Sequence, residues 1–190
     1  ALLQKTANQG FDQAFEDLLK TLVGEKLWQR GRPEVMSGLR LAKRSAALAI
    51  ALADIAGAWP LEKICQSLSR FAEVSISIAL NFLLCQAAKN GQMSLANPEN
   101  PESGCGIVVL GMGKLGANEL NYSSDIDLLV LFDGEVVDYA GDDGPQQGLH
   151  RMVRELVVIM GERSADGYVF RTDMRLRPDP SATPLAVSTA

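Results

Sequence analysis

At 190 residues, 47% apolar and 22% charged, the chain has room for one ordinary domain or a small core with a helical appendage, and it can bury that core without disulfide staples. Its net charge of −5 offers none of the basic footprint that nucleic acid or an anionic membrane selects. The acid is concentrated: residues 1–103 carry eleven Lys/Arg against ten Asp/Glu, and residues 104–190 carry seven against thirteen, as either a solvated acidic face or a divalent-metal site would have it.

The first predicted element is a helix over 11–23, with apolar groups at 11, 14, 15, 18, 19 and 22 and acids in its early turns. Gly31, Arg32 and Pro33 break the pattern. Glu34 to about Ala56 is a second, alanine- and leucine-rich helix, stopped by Gly57 and Pro60. Its basic patch of Arg40, Lys43 and Arg44 reads as a solvated face. A third helix, from about Leu61 to Asn90, is apolar on more than one side and ends at the C-cap signal Asn90-Gly91. Glu73, Asn81, Gln86 and serines interrupt its apolar run, which argues against a membrane span. Three such helices with short breaks predict an antiparallel bundle. The proline-punctuated stretch 91–106 is the best boundary, dividing 1–103 from 104–190.

Beyond it, Ile107–Leu110 and Asp127–Phe132 read as strands, 138–148 as a polar loop, and Leu149–Met160 as an amphipathic helix. Tyr168–Arg177 reads as an alternating strand closed by Pro178. Mixed strands and helices in this order predict an α+β or α/β core. Cys65, Cys85 and Cys105 have no CxxC pairing and read as free thiols of a reducing cytoplasm. The chain starts at Ala1 and stops after Ser188-Thr189-Ala190, which reads as a piece of a longer polypeptide.

Three features carry chemistry. In a strand, residues two apart point the same way, so Asp125 and Asp127 present two carboxylates together, an arrangement that repels unless a cation sits between them. An Asp-rich strand start capped by Ser123-Ser124 is the plainer alternative. Gly111, Gly113 and Gly116 let backbone approach a phosphate, and Lys114 adds a point charge. The same G-x-G-x-x-G is the dinucleotide fingerprint, with Asp133 at about the distance of a ribose-binding acid. Against that stand the short space left for a helix, Leu115 to about Tyr122, and the paired carboxylates, which a nicotinamide site does not need. A Walker loop is excluded because Lys114 is followed by leucine. Finally, the strand 168–177 sets Arg171, Asp173, Arg175 and Arg177 on one face and Phe170, Thr172, Met174 and Leu176 on the other. That fits a third metal carboxylate flanked by phosphate-binding arginines, or else a cross-strand salt-bridge ladder. His150, the single histidine, has no partner that marks it as a ligand or base.

Gly111-Met112-Gly113-Lys114-Leu115-Gly116, Glu119-Leu120-Asn121, Ser123-Ser124-Asp125-Ile126-Asp127 and Asp173-Met174-Arg175-Leu176-Arg177-Pro178 together resemble the bifunctional glutamine synthetase adenylyltransferase/adenylyl-removing enzymes. The resemblance extends more loosely over the preceding helices. It implies an α+β fold in which a polymerase-β-like nucleotidyltransferase core, a small mixed sheet with flanking helices, follows an N-terminal helical bundle. It implies that Asp125, Asp127 and Asp173 are catalytic and hold one or two Mg²⁺ ions. Gly111, Gly113, Lys114, Ser124, Arg175 and Arg177 would then hold inorganic phosphate and the phosphates of AMP, ADP or ATP. Met112 and Met174 resemble the amino-terminal domain, which removes AMP from a glutamine synthetase tyrosine by phosphorolysis. The runner-up activity is adenylyl transfer from ATP, and a different class is a dinucleotide-binding module. Implied partners are glutamine synthetase and the PII signalling protein, in the cytoplasm, with no nucleic acid or membrane. Ala117 and Asn118, and the glycine-free Asp179–Leu185, depart from the family pattern.

Overall fold

The helices form where apolar periodicity demands burial. The computed structural model describes residues 2–176, 179 and 183–189, with side chains from residue 10 onward. Helix α1 (Leu2–Gly24) breaks its helical dihedrals at Gly10, so the predicted start at Phe11 is the start of its second half. That half buries Ala14, Phe15 and Leu19. Phe11 and Phe15 meet Trp59 edge-on, with ring centroids 6.3 and 6.1 Å away.

Helix α2 (Arg32–Ile55) takes Pro33 in its first turn, where a missing N–H is harmless, with Glu34 beside the positive end of the dipole. Ala42, Ala46, Ala49 and Ala53 are buried at helical spacing. Helix α3 (Leu61–Lys89) has sixteen buried residues and packs against α1, α2 and the later helix α5 (Gly144–Gly161). Length and composition alone would let α3 cross a membrane, but 67% of its apolar window is buried inside the protein. Its buried Ser69 and Ser75 hydroxyls donate to the carbonyls of Cys65 (3.0 Å) and Phe71 (2.7 Å), so neither polar group is left unpaired.

Among the described residues the sheet has four strands. β1 (Ile107–Met112) runs antiparallel to β2 (Ile126–Phe132), from Ile107 opposite Phe132 to Met112 opposite Asp127. β3 (Thr172–Asp173) and β4 (Ala186–Ser188) both pair parallel to β2, β3 at its start and β4 at its end. One face of the sheet, with Ile107, Val109 and Val130, closes against Leu80 of α3 and Leu149, Val153 and Leu156 of α5. The other face carries exposed Val108 and Leu110 and the half-buried Leu129 and Leu131. Asp127 shares the parity of Leu129 and Leu131, so it lies on this open face.

The predicted strand 168–177 shrinks to two residues because its backbone groups are used elsewhere. The N–H groups of Val169 and Phe170 both donate to the Met160 carbonyl at the end of α5 (2.9 and 3.0 Å), and that of Arg175 donates to the Asp173 carboxylate (2.8 Å). Helix α5 begins five residues ahead of Leu149, because Pro145 is compatible with a first turn.

The basic patch on α2 is not the solvated face expected. Arg44 is exposed, but Arg40 is 1% exposed, and burial alone pushes Lys43 down to about 8. The unfolded chain keeps Lys43 near 10.5, so between the two values it binds more protons than the native state, and stability rises with pH across that window. Below it the cost of burying the charge is present in full; above it the cost is gone. Urea unfolding from pH 7.5 to 10 should therefore show a gain on the order of 2 kcal/mol in the parent that Lys43→Met lacks. Parallel pH curves for the two proteins would contradict the burial of a charged Lys43.

Candidate active site

Met112 ends β1 opposite Asp127, and Gly113 (φ +53°) turns the chain into α4, the single turn Gly113–Gly116. A Cβ on Gly113 would stand 2.7 Å from Asp127 Oδ2, so the carboxylate rests against the bare Cα. A Cβ on Gly116 would stand 2.5 Å from the Gly111 carbonyl oxygen, which cannot shift without distorting β1. Gly116→Ala should accordingly cost about 2 kcal/mol, read as a fall of several degrees in thermal midpoint; an unchanged midpoint would mean that the turn has slack the geometry denies.

The turn's glycines therefore do two things: they fold α4 back onto its own strand, and they admit Asp127. Because β1 and β2 are antiparallel and α4 is one turn long, there is no βαβ crossover here, and the dinucleotide-binding alternative falls.

Between α4 and β2 the loop is pinned at several points. The Leu120 N–H donates to Ser69 Oγ of α3 (3.3 Å), and the Tyr122 hydroxyl donates to Asp54 Oδ2 near the end of α2 (3.0 Å). Burial, then that carboxylate, pushes the Tyr122 phenol up to about 12. Asn121 Oδ1 accepts from the Ser123 N–H (3.3 Å) and the Ser124 hydroxyl (2.7 Å), so Ser124 shapes the approach to Asp125.

The three aspartates come to one end of the sheet. Asp127 and Asp173 are register partners on adjacent parallel strands, and Asp125 precedes β2 by one residue. Two of them carry an arginine. Arg171 Nε donates to Asp125 Oδ1 (2.5 Å) and its Nη2 to the Ser123 carbonyl (3.1 Å). Arg175 donates to both Asp173 oxygens, from Nε at 3.0 and 2.9 Å and from Nη2 at 2.5 Å. The Arg175 guanidinium, then its N–H, holds the Asp173 carboxyl below the usual carboxylate range. Arg175 in turn is held charged by Asp173 first, and also by Asp127 and Asp125. One cation thus already sits in the field of all three carboxylates.

Among the described residues no three His, Cys, Asp or Glu side chains converge closely enough to hold a metal as they stand. Both arginines are more than half exposed, at 55% and 82%, and such pairs are weak and exchangeable. The donors themselves are all carboxylate oxygens, the set that hard divalent cations such as Mg²⁺ select, and adjacent strands lie about 4.8 Å apart. The donor chemistry fits a divalent cation, which would have to displace both arginines. Gly111 is half-buried, while Gly113 and Lys114 are exposed on the same turn; Arg177 lies outside the described residues.

Reading the sequence alone missed the contacts of four residues. Arg171 lies directly before Thr172, the partner of Ile126, and so faces Asp125; only the register reveals that. Arg40 and Lys43 act across more than a hundred residues. His150 accepts the Leu185 N–H at Nδ1 (3.2 Å) and, with Gln146 donating to the Ala186 carbonyl (2.7 Å), ties β4 to α5.

A small mixed sheet flanked by helices, carrying a glycine turn against a carboxylate-bearing strand, is compatible with a nucleotidyltransferase-like core. The sequence profile of the glutamate-ammonia ligase adenylyltransferases matches residues 2–190, and the chain belongs to that family. It is 50% identical over 155 residues to the bifunctional glutamine synthetase adenylyltransferase/adenylyl-removing enzyme of Bradyrhizobium diazoefficiens, covering 82% of this chain and 16% of that protein. The enzyme of the same description from Rhodopseudomonas palustris strain HaA2 is 45% identical over 179 residues, 94% of this chain and 18% of that protein. That of Bartonella henselae is 49% identical over 154 residues, 80% and 16% respectively. The chain thus spans about one sixth of the length of these relatives, all of them nucleotidyltransferases by name.

Proposed function

We propose that this chain carries the adenylyl-removing activity: Mg²⁺-dependent phosphorolysis of the AMP–tyrosine bond on glutamine synthetase, giving ADP and the free tyrosine, in the cytoplasm. The observation that carries it is the pairing of Asp127 with Asp173 in register, with Gly113 opened beneath the Asp127 carboxylate. In this reading residues 104–190 are a polymerase-β-like core, residues 1–103 are its helical bundle, and the PII signalling protein acts on the longer enzyme.

Asp125, Asp127 and Asp173 would hold one or two Mg²⁺ ions. Bound there, the metal supplies neutralisation of phosphate charge and alignment for an in-line displacement. Asp127 is fixed in place by the ladder and by the bare Cα of Gly113. Arg171 and Arg175, once released from Asp125 and Asp173, are exposed and free to take phosphate oxygens, as is Lys114 on the turn. The direction of reaction rests on Met112, beside Asp127 in the register, and Met174, which resemble the removing domain.

The deciding assay supplies adenylylated glutamine synthetase, Mg²⁺ and phosphate and follows ADP. In parallel, ATP and unmodified glutamine synthetase are followed for pyrophosphate. ADP in the first reaction is the expected result; pyrophosphate in the second, without ADP in the first, would reverse the direction.

A further inference from the structure

The strand that presents Asp173 is poorly held by its own ladder. β3 has two residues and two register partners, Ile126 and Asp127, too few to fix a strand. Helix α2 grips the segment leading into it. Arg40 donates to the carbonyls of Gly167 (Nε, 2.9 Å) and Glu162 (Nη2, 2.5 Å), and to its own helix at Met36 (Nη1, 2.8 Å). Lys43 donates from Nζ to the Val169 carbonyl (2.8 Å), and the same ammonium lies 3.5 Å from the Phe170 ring centroid. Ser37 donates to Asp166 Oδ2 (2.9 Å). Phe170 is 4% exposed and also meets Phe71 of α3, with ring centroids 6.1 Å apart. The next residue, Arg171, gives its carbonyl to the Ile126 N–H (2.9 Å) and its guanidinium to Asp125, and Asp173 follows two positions later.

Burying two cations, one of them Arg40 at 1% exposure, works against stability, and an apolar side chain of similar volume would fill either space. What the cations add is direction: each fixes a named carbonyl of an otherwise irregular segment. Across the 162–169 segment their hydrogen-bond partners are backbone carbonyls; the Glu162 and Asp166 carboxylates also attract Arg40, but burial outweighs them, so what the contacts chiefly supply is geometry.

We propose that Arg40 and Lys43 are positioning residues for Asp173, so that the helical region sets the geometry of the third carboxylate of the site. The inference rests on the reading of Asp125, Asp127 and Asp173 as a divalent-cation site, but its contact chain stands independently of that reading. The helices before the sheet are on this account part of the catalytic apparatus.

The test uses the full chain and two readouts. Mn²⁺ binding is titrated by electron paramagnetic resonance of the free ion, and amide hydrogen exchange is followed at Thr172 and Asp173. Lys43→Met keeps the volume and removes the cation; it should fold, weaken Mn²⁺ binding about tenfold and speed exchange at the two amides. Arg40→Lys, which keeps a charge but loses the fork, should do the same and covers the case in which Lys43→Met fails to fold. Ala49→Gly, at a buried position of α2 beyond both Arg40 and Lys43 and outside the clamp's hydrogen bonds, serves as a control that lowers the thermal midpoint without changing Mn²⁺ affinity. Unchanged Mn²⁺ affinity and unchanged exchange in both variants would overturn the proposal, as would an equal loss of affinity in the control. A parent chain that binds no Mn²⁺ would instead overturn the metal reading, and the exchange at Thr172 and Asp173 would still decide the clamp.

Discussion

Asp127→Asn is expected to lose on the order of a thousandfold in deadenylylation rate while the fold and its thermal midpoint remain. The substitution is nearly isosteric and keeps the backbone pairing of Asp127 with Met112 and Asp173. It removes one negative charge from the place where two carboxylates of adjacent strands meet. Charge stabilisation by a bound metal is worth several kcal/mol in phosphoryl chemistry, and each 1.4 kcal/mol is a factor of ten. The residue is half-buried on the open face of the sheet and takes no part in the apolar core, so the fold has no reason to suffer. Single-turnover release of ADP from adenylylated glutamine synthetase, with circular dichroism of the same sample, checks both halves. Near-parental turnover in a folded protein would remove Asp127 from the site.

Gly113→Ala carries the second largest effect. At φ +53° an alanine is strained by roughly 1–2 kcal/mol, and its Cβ would stand 2.7 Å from Asp127 Oδ2. Either the turn or the carboxylate must move, and the carboxylate is the softer of the two. We expect a loss of about a hundredfold in activity, far beyond what the strain does to stability, because displacement of a reacting group by an ångström costs about that much. The cause can be isolated in a double variant. If Gly113→Ala acts through Asp127, adding it to Asp127→Asn changes the rate little further, since coupled residues do not add. Full additivity would point to a separate role for the turn, such as direct contact with phosphate.

Much of the architecture was legible in the sequence because it is local. Apolar spacing at 11, 14, 15, 18, 19 and 22 marks α1, the alanine-rich period marks α2, and Asn90-Gly91 closes α3 where expected. The apolar run Leu128–Phe132 marks β2, which lies between β1 on one side and β3 and β4 on the other and buries Leu128, Val130 and Phe132 while leaving Leu129 and Leu131 half-buried. What escaped is non-local. β4 is three residues with no alternation to read, held by Gln146 and by its register with Val130 to Phe132. The alternation expected over 168–177 holds only in part: Phe170 and Met174 are inside, but so is Val169, and Leu176 is half exposed, while hydrogen bonds to Met160 and Asp173 take the N–H groups that a longer strand would need.

The candidate site divides in the same way. Asp125 and Asp127 announce themselves by spacing, and Gly113 and Gly116 by the turn motif, although the reason for glycine at each became visible only as distances to Asp127 and Gly111. That Asp173 stands beside Asp127, and that Arg171 holds Asp125, follow from strand register, which no periodicity encodes. Arg40 and Lys43 sit on a helix whose pattern gives no hint that their partners lie more than a hundred residues away.

Whether the three aspartates hold a metal is decided by a crystal structure of this chain grown with Mn²⁺, ADP and phosphate, examined for anomalous scattering. A manganese peak is expected between the carboxylates of Asp125, Asp127 and Asp173, with Arg171 and Arg175 swung away from Asp125 and Asp173. Manganese bound elsewhere, or both arginines still on their aspartates beside a bound nucleotide, would contradict a metal site there.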